Sequence, residues 1–241
     1  MKEHRFIGDF DFSQQECVVT DPDIVHQWRR VLRMKPGDEV TLLNGKGAIA
    51  QAVMKDMDNG RAVVTIRHTE EASGVQQPVV LYCAILKREN MEVVVQKATE
   101  VGISRIVPLV TKRTVKLGFR IDRMERIAKE AAEQCGRLDV PSIAEPLSLD
   151  EALETAQHDR IIFFDLHAPL LTSAMVSLTS KGLGVCIGPE GGWDESERTQ
   201  ARAAGCTFAS LGNLVLRAET AALIASYCAV HGAVPGQDTY A

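Results

Sequence analysis

From Val79 onward, short apolar runs alternate with longer helix-patterned segments, and this alternation restricts the possible fold more than any other feature of the chain. VVLYCAIL (79–86), RIVPLVT (105–111), RIIFFDL (160–166), LGVCIG (183–188) and TFASLG (207–212) have the length and composition of buried strands. ENMEVVVQKATEVG (89–102), IDRMERIAKEAAEQCG (121–136), SLDEALETA (148–156), LLTSAMVSL (170–178), DESERTQARAAG (194–205) and a last segment from about Arg217 read as helices. Gly102 and Gly136 are stop signals, and Ser148 with Glu151 has capping-box spacing. The expected class is therefore α/β, a mainly parallel sheet with helices on both faces. Periodicity alone predicts an unknotted sheet.

The first part of the chain reads differently. A short helix near Asp23 to Leu32 is followed by the turn Lys35-Pro36-Gly37-Asp38, then EVTLLN, a Gly45-Lys46-Gly47 hairpin, AIAQAVMKDM, an Asp58-Asn59-Gly60 turn and RAVVTIRH. Short strands on tight turns predict a small barrel. The apolar pattern lapses at Ser73-Gly74-Val75-Gln76-Gln77-Pro78, which sets expected domains at 1–74 and 75–241.

A net charge of −5 counts against nucleic acid until its distribution is examined. Residues 1–140 carry 22 Lys and Arg against 20 Asp and Glu; residues 141–241 carry 5 against 12. The acidity belongs to the C-terminal part. Basic clusters remain at Arg29, Arg30, Arg33 and Lys35, at Lys87 and Arg88, and from Lys112 and Arg113 through Lys116 to Arg126. Local clusters of this kind, rather than a basic total, are what phosphate binding needs, although solvated faces look the same in sequence. Cys17, Cys83, Cys135, Cys186, Cys206 and Cys228 include no C-x-x-C pair and predict buried free thiols in a reducing cytosol. MKEHRFIGDFDF lacks the apolar core of a signal peptide, no run approaches a membrane span, and the His spacing suggests no metal.

In open α/β sheets, ligands sit beyond the carboxyl ends of the strands. Three such ends stand out: FFDLHAP (163–169), IGPEGG (187–192) and SLGNLVLRAET (210–220). Gly188, Gly191, Gly192 and Gly212 remove side chains where a flat ring or sugar can approach the backbone. The phosphate loops G-x-x-x-x-G-K-[ST] and G-x-G-x-x-G are absent. Asp194 with Glu197 forms a D-x-x-E helix start that needs no ligand, so the glycine turn alone is equally a structural turn. Arg217 and Glu219, at the entry of the apolar segment ETAALIASYCAVHG, are either a surface pair at a helix start or part of a site.

IGPEGGWDESE and LGNLVLRAETAALIA, together with QKATEVG (96–102), EQCGR (133–137) and HQWRRVLRMKPGDEV (26–40), give the chain a resemblance spanning both domains. It resembles the bacterial 16S ribosomal RNA uracil-N3-methyltransferases of the SPOUT superfamily. The resemblance implies a PUA-like barrel for RNA, an α/β domain closed by a trefoil knot, a homodimer, and N3-methyluridine in 16S ribosomal RNA of the 30S subunit as product. It implies S-adenosylmethionine as methyl donor, held by Leu166, His167, Ile187, Gly188, Pro189, Glu190, Gly191, Gly192, Leu211, Gly212, Asn213, Leu214 and Leu216. The chain departs from the family at Leu214, where the family commonly has Arg, and mildly at Trp193.

Uracil N3–H is only weakly acidic, so methylation there needs a base or a cation that stabilises the developing charge. Arg217 is the candidate cation, and Glu219, or second Glu190, the group that orients the base or takes the proton. Because N3 lies on the Watson–Crick edge, the target must be unpaired or flipped out. Arg5, Arg29, Arg30, Arg33, Lys112 and Arg113 are the candidate phosphate contacts, and Gln134 and Arg137 are candidates to reach the same cleft. The last helix is either core or a subunit contact on its own pattern, and the resemblance favours the homodimer. Alternative functions are a SPOUT methyltransferase for another RNA site, a noncatalytic RNA-binding assembly factor, and a nucleotide-hydrolysing enzyme, which the missing phosphate loop counts against.

Overall fold

The computed structural model describes residues 4–58, 60–71, 78–114, 118–158, 160–177 and 181–232. Contacts divide the chain into two compact units, Met1–Val75 with Ala132–Val140, and Gln76–Ala131 with Pro141–Ala241. The boundary expected between residues 74 and 75 lies outside the described residues, as do Asn59 and Lys116.

In the first unit, strands β1 (Arg5–Ile7), β2 (Glu16–Val19), β3 (Glu39–Leu43), β4 (Ala48–Met57) and β5 (Ala62–Glu71) form one sheet in the order β1-β3-β4-β5-β2. The β3–β4–β5 meander is antiparallel, whereas β1 joins β3 in parallel register, Phe6 beside Leu42. Polar side chains close the turns: Asn44 Oδ1 accepts from the Lys46 and Ala48 N–H groups at 2.8 and 3.0 Å, and Asp58 Oδ1 accepts from those of Gly60 and Arg61. Register shifts at Gln51/Ala52 and Met54/Asp56 bend the long pair. Helix α1 (Pro22–His26) starts on an Asp21 cap and runs into a π-helical turn, Gln27–Leu32, that buries Trp28 edge-on against Phe6. Arg33 ends it in left-handed conformation, φ 54°.

The tail of helix α3 (Ile121–Cys135) completes this unit. Glu133 Oε1 accepts from the Ile7 N–H at 2.7 Å, and Ala132 packs with Ile7 and Leu43. At Gly136, φ 81°, a Cβ would collide with the Arg5 guanidinium. EQCGR is thus legible as a tie that fixes β1.

The second unit holds strands β6 (Val79–Ala84), β7 (Arg105–Val110), β8 (Ser142–Ile143), β9 (Leu147–Ser148), β10 (Arg160–Phe164), β11 (Leu183–Ile187) and β12 (Thr207–Ala209). The sheet order is β12-β10-β11-β6-β7-β8, with β9 also on β7, and every pairing is parallel. Every residue of β6 and of β11 is buried, as expected of strands covered on both faces. Helices α4 (Leu149–Thr155) and α5 (Glu195–Ala203) supply Leu149, Ala152 and Ala201 to a core with Val80, Tyr82, Leu109, Phe163 and Cys186. Helix α6 (Ala218–His231) packs on β11, on β6 and on α2 (Arg88–Val101). Its buried positions are small, Ala218, Ala222, Ala225, Ser226 and Ala229, which permits close approach to the sheet, while Tyr227 stays half-exposed. In α2 the stripe Met91, Val94, Val95, Ala98 and Thr99 is buried, and Gly102 stops the helix at φ 107°.

Two expectations need correction. LLTSAMVSL is no helix over its described part: Leu170 bridges to Ser210, the Leu171 N–H donates to the Ser210 carbonyl at 2.9 Å, and Arg160 Nη1 takes the carbonyls of Ala174 and Met175. Those non-helical partners satisfy the backbone instead. Leu178 lies outside the described residues. All six cysteines are free, but Cys135 is exposed and Cys206 only partly buried. No helix among the described residues is long and apolar enough to cross a membrane.

Candidate active site

Parallel pairing puts the carboxyl ends of β6, β7, β10, β11 and β12 along one edge of the sheet, and a cleft of about 750 Å³ opens there. All three loops singled out in the sequence line it. From the first come Leu166 and His167, from the second Ile187, Gly188, Pro189, Glu190, Gly191 and Gly192, and from the third Leu211, Gly212, Leu214, Leu216, Arg217 and Glu219. Asn213 is exposed and is not among the lining residues. Lys87 from the loop after β6, Asn90 from the first turn of α2 and Arg113 from the loop after β7 also line it.

The glycine turn is fixed from behind by Trp193. The indole is buried, its ring centroid lies 4.3 Å from that of Phe163, and Nε1 donates to the Phe164 carbonyl at 2.9 Å. Gly188 must be glycine here, because a Cβ would come within 2.8 Å of the indole. Gly192 takes φ 70° and its N–H closes the turn on the Pro189 carbonyl at 2.8 Å. The residue that departs mildly from the resembled family is therefore the wedge behind the loop.

Helix α5 begins as its D-x-x-E spacing predicts, and its cap does more. Glu197 is buried; Oε2 accepts from the Asp194 N–H at 2.7 Å, and Oε1 accepts from the Lys112 N–H at 2.9 Å. Lys112 Nζ lies 3.5 Å from Asp194 Oδ1, and Arg113 Nη1 donates to the Gly191 carbonyl at 2.8 Å. One turn later Arg198 donates through Nε to Asp165 Oδ2 at 2.6 Å and through Nη1 to the Trp193 carbonyl at 2.8 Å. Asp165 Oδ1 accepts from the His167 N–H at 3.0 Å. Burial pushes the Asp165 carboxyl up, but the His167 N–H and the Arg198 guanidinium outweigh it and hold it below its ordinary value. Asp165, Trp193 and Arg198 all line the cleft and escaped sequence reasoning. The available signal was a charged residue directly after the apolar run RIIFF.

Arg217 and Glu219 stand at the entry of α6 with unequal surroundings. The Arg217 side chain is 85% exposed and the Glu219 side chain 15%, with Nη1 and Oε1 3.9 Å apart. Glu219 Oε2 is buried and has no hydrogen-bond partner among the described residues. A buried carboxylate oxygen without a donor is costly, and a ligand or substrate N–H in the cleft would satisfy it. Glu190 is exposed on the rim. No cysteine among the described residues lines the cleft, and burial pushes the Cys83 thiol up to about 12 and the Cys206 thiol up to about 11. Among the described residues no group of three or more His, Cys, Asp or Glu could hold a metal ion.

Of the candidate phosphate contacts, Lys112 and Arg113 belong to the second unit and Arg5, Arg29, Arg30, Arg33 and Arg137 to the first. Arg29, Arg30 and Arg33 are exposed. Arg137 is occupied by a two-pronged pair with Asp139, at 3.1 and 2.8 Å, and neither it nor Gln134 lines the cleft.

A family model described as an RNA methyltransferase domain matches residues 74–229, and one described as an RNA methyltransferase PUA domain matches residues 29–67. The chain is 32% identical over 208 residues to a ribosomal RNA small subunit methyltransferase E of Synechocystis sp., covering 83% of this chain and 68% of that protein. The Bacillus subtilis protein of the same name is 29% identical, with 83% and 84% covered. The crystal structure of a ribosomal RNA small subunit methyltransferase E from Neisseria gonorrhoeae, bound to S-adenosylmethionine, superposes with a TM-score of 0.84 at 30% identity, covering 93% of this chain and 95% of that one. A Legionella pneumophila structure, also with S-adenosylmethionine bound, gives 0.85 at 28% identity over 94% and 96%. With the parallel sheet, its strand-end cleft and the preceding PUA-type unit already in place, the chain belongs to the ribosomal RNA small subunit methyltransferase E family of RNA methyltransferases.

Proposed function

We propose that this protein transfers a methyl group from S-adenosylmethionine to N3 of an unpaired uridine in 16S ribosomal RNA, acting in the cytoplasm as a homodimer on the 30S subunit. The observation that carries the reading is the convergence of three strand-end loops on one cleft whose edge holds an exposed Arg217 and a buried Glu219 with an unsatisfied oxygen. A PUA-like RNA-binding domain over 1–74 and a knotted methyltransferase domain over 75–241 complete the proposal.

The cleft fits the cofactor. Ile187, Pro189, Leu211 and Leu216 offer apolar surface, the glycines expose main chain, and the orphaned Glu219 oxygen awaits a donor. Leu166, His167, Gly188, Glu190, Gly191, Gly192, Gly212 and Leu214 complete the binding walls; Asn213 is left out. When bound, the cofactor supplies a methyl group already activated by its sulfonium. Glu219 accepts the N3 proton, Arg217 holds the uracil oxygen that gains negative charge as that proton leaves, and N3 then takes the methyl group, which neutralises the charge. Glu190, on the rim, orients the base. Arg5, Arg29, Arg30, Arg33, Lys112 and Arg113 position RNA through its phosphates without reading sequence, and Arg137 joins them by exchanging Asp139 for a phosphate.

The test is incubation with labelled S-adenosylmethionine and unmodified 30S subunits, followed by mapping of the modified base. Label on uridine N3 in 16S RNA is expected. Label at another RNA site would redirect the specificity, and label in no RNA would overturn the enzyme reading.

A further inference from the structure

The first turn of α5 was legible only as a helix cap, yet its side chains bond outward to two separate cleft-lining segments. Glu197 is 3% exposed and divides its carboxylate between the Asp194 N–H, which caps its own helix, and the Lys112 N–H, 85 residues away in sequence. A cap alone needs only the first of these bonds. Arg198 divides its guanidinium between the Trp193 carbonyl and Asp165, whose other oxygen takes the His167 N–H. Both carboxylate oxygens of Glu197 are thus committed, and Arg198 joins its own helix start to the 165–167 turn.

We infer that Glu197 and Arg198 are positioning residues, each of which sets a different side of the cleft. Arg198, through Asp165, fixes the 165–167 turn and with it the cofactor side. Glu197, through the Lys112 N–H, fixes the backbone of the 112–113 turn, which carries the proposed phosphate contacts Lys112 and Arg113, and with it the RNA side. Neither residue is asked to touch a reacting atom. The division follows from connectivity: Asp165 and His167 have no described bond to the 112–113 turn, and Glu197 has none to the 165–167 turn. The inference rests on the proposed methyltransferase function.

Two variants separate the arms. Glu197→Gln keeps the size and one acceptor oxygen but loses one of the two bonds; Arg198→Lys keeps the charge but cannot fork. S-adenosylmethionine affinity is measured by calorimetry without RNA, KM for 30S subunits and kcat by methyl transfer, and melting temperature alongside. Losing one charge-assisted bond of this kind corresponds to an effect on the order of 10-fold. Arg198→Lys is expected to weaken cofactor binding by about that factor with KM for RNA unchanged, and Glu197→Gln to raise KM for RNA with cofactor affinity unchanged. Lowered melting temperatures with both affinities intact would reduce the pair to helix capping and overturn the inference. So would parallel loss of both affinities in each variant. Wild-type protein that bound no S-adenosylmethionine would instead bring down the methyltransferase reading itself.

Discussion

The wall of the cleft built by 187–193 and the wall built by 211–217 carry the same kind of sequence signal, glycine at a strand end, and are anchored very differently. The first is held by Trp193 on Phe163 and Phe164, by Arg113 on the Gly191 carbonyl, and by α5 through Arg198 on the Trp193 carbonyl. In the second, Leu214 is 78% and Val215 81% exposed, and α6 starts without a side-chain cap. Its one described side-chain tie is the 3.9 Å approach of Arg217 to Glu219. A pinned wall suits a cofactor that must be met in one geometry; a loosely held wall suits the side where a large substrate or a second subunit arrives.

The largest effect should come from unpinning the first wall. Trp193→Ala removes a buried indole, its bond to Phe164 and the packing over Gly188, and should cost about 3–5 kcal/mol of stability, read by denaturant unfolding. A loss under about 1 kcal/mol would show that the wall is not held from behind. Arg217→Ala tests the second wall in the opposite sense. An exposed side chain should leave stability within about 0.5 kcal/mol, while kcat falls on the order of 10²-fold if Arg217 stabilises developing charge. Near-normal turnover with unchanged cofactor affinity would remove Arg217 from the chemistry.

A smaller effect separates the walls by pH. Asp165 has its folded-state pKa below the ordinary carboxylate value, so the stability it contributes is present above about pH 3.9 and is lost as pH falls through the folded value. Acid should therefore loosen the 165–167 side, and Asp165→Asn should flatten that part of the stability profile. An unaltered profile in the variant would show that the Arg198 pair is not what acid breaks.

The capped and periodic parts of this architecture were legible in the sequence because their causes are local. Ser148 with Glu151 and Asp194 with Glu197 form the predicted capping boxes, and Gly102 stops its helix. What escaped has distant causes. Strands β1 and β2 are short and take their places from partners, β1 from Leu42 and Glu133 rather than from its own three residues. Segment 170–177 has helical composition but gives its backbone bonds to Ser210 and Arg160. The positions of Asp165, Trp193 and Arg198 in the cleft depend on which loops the sheet order brings together, which no local window contains. Asn213 lies in a loop that lines the cleft, but a loop's sequence does not say which of its residues turn inward.

The smallest expected change concerns Leu214, where the resembled family commonly has Arg. At 78% exposure the side chain contributes little packing, so Leu214→Arg should shift stability by less than about 0.5 kcal/mol in either direction. If the loosely held wall faces RNA, the new cation should gain a phosphate. The slope of log affinity against log salt would then steepen by roughly 0.7, the increment of one contact to single-stranded nucleic acid. An unchanged salt slope would place Leu214 away from the RNA backbone and favour a subunit contact for this apolar tip. Measuring the dimer dissociation constant of the same variant distinguishes these, because a guanidinium placed into an apolar interface without a partner weakens association. The contrast between the two walls is thereby carried to the point where their sequence signals are most alike, since glycine marks both and only the exposed one can exchange a leucine for an arginine at almost no structural cost.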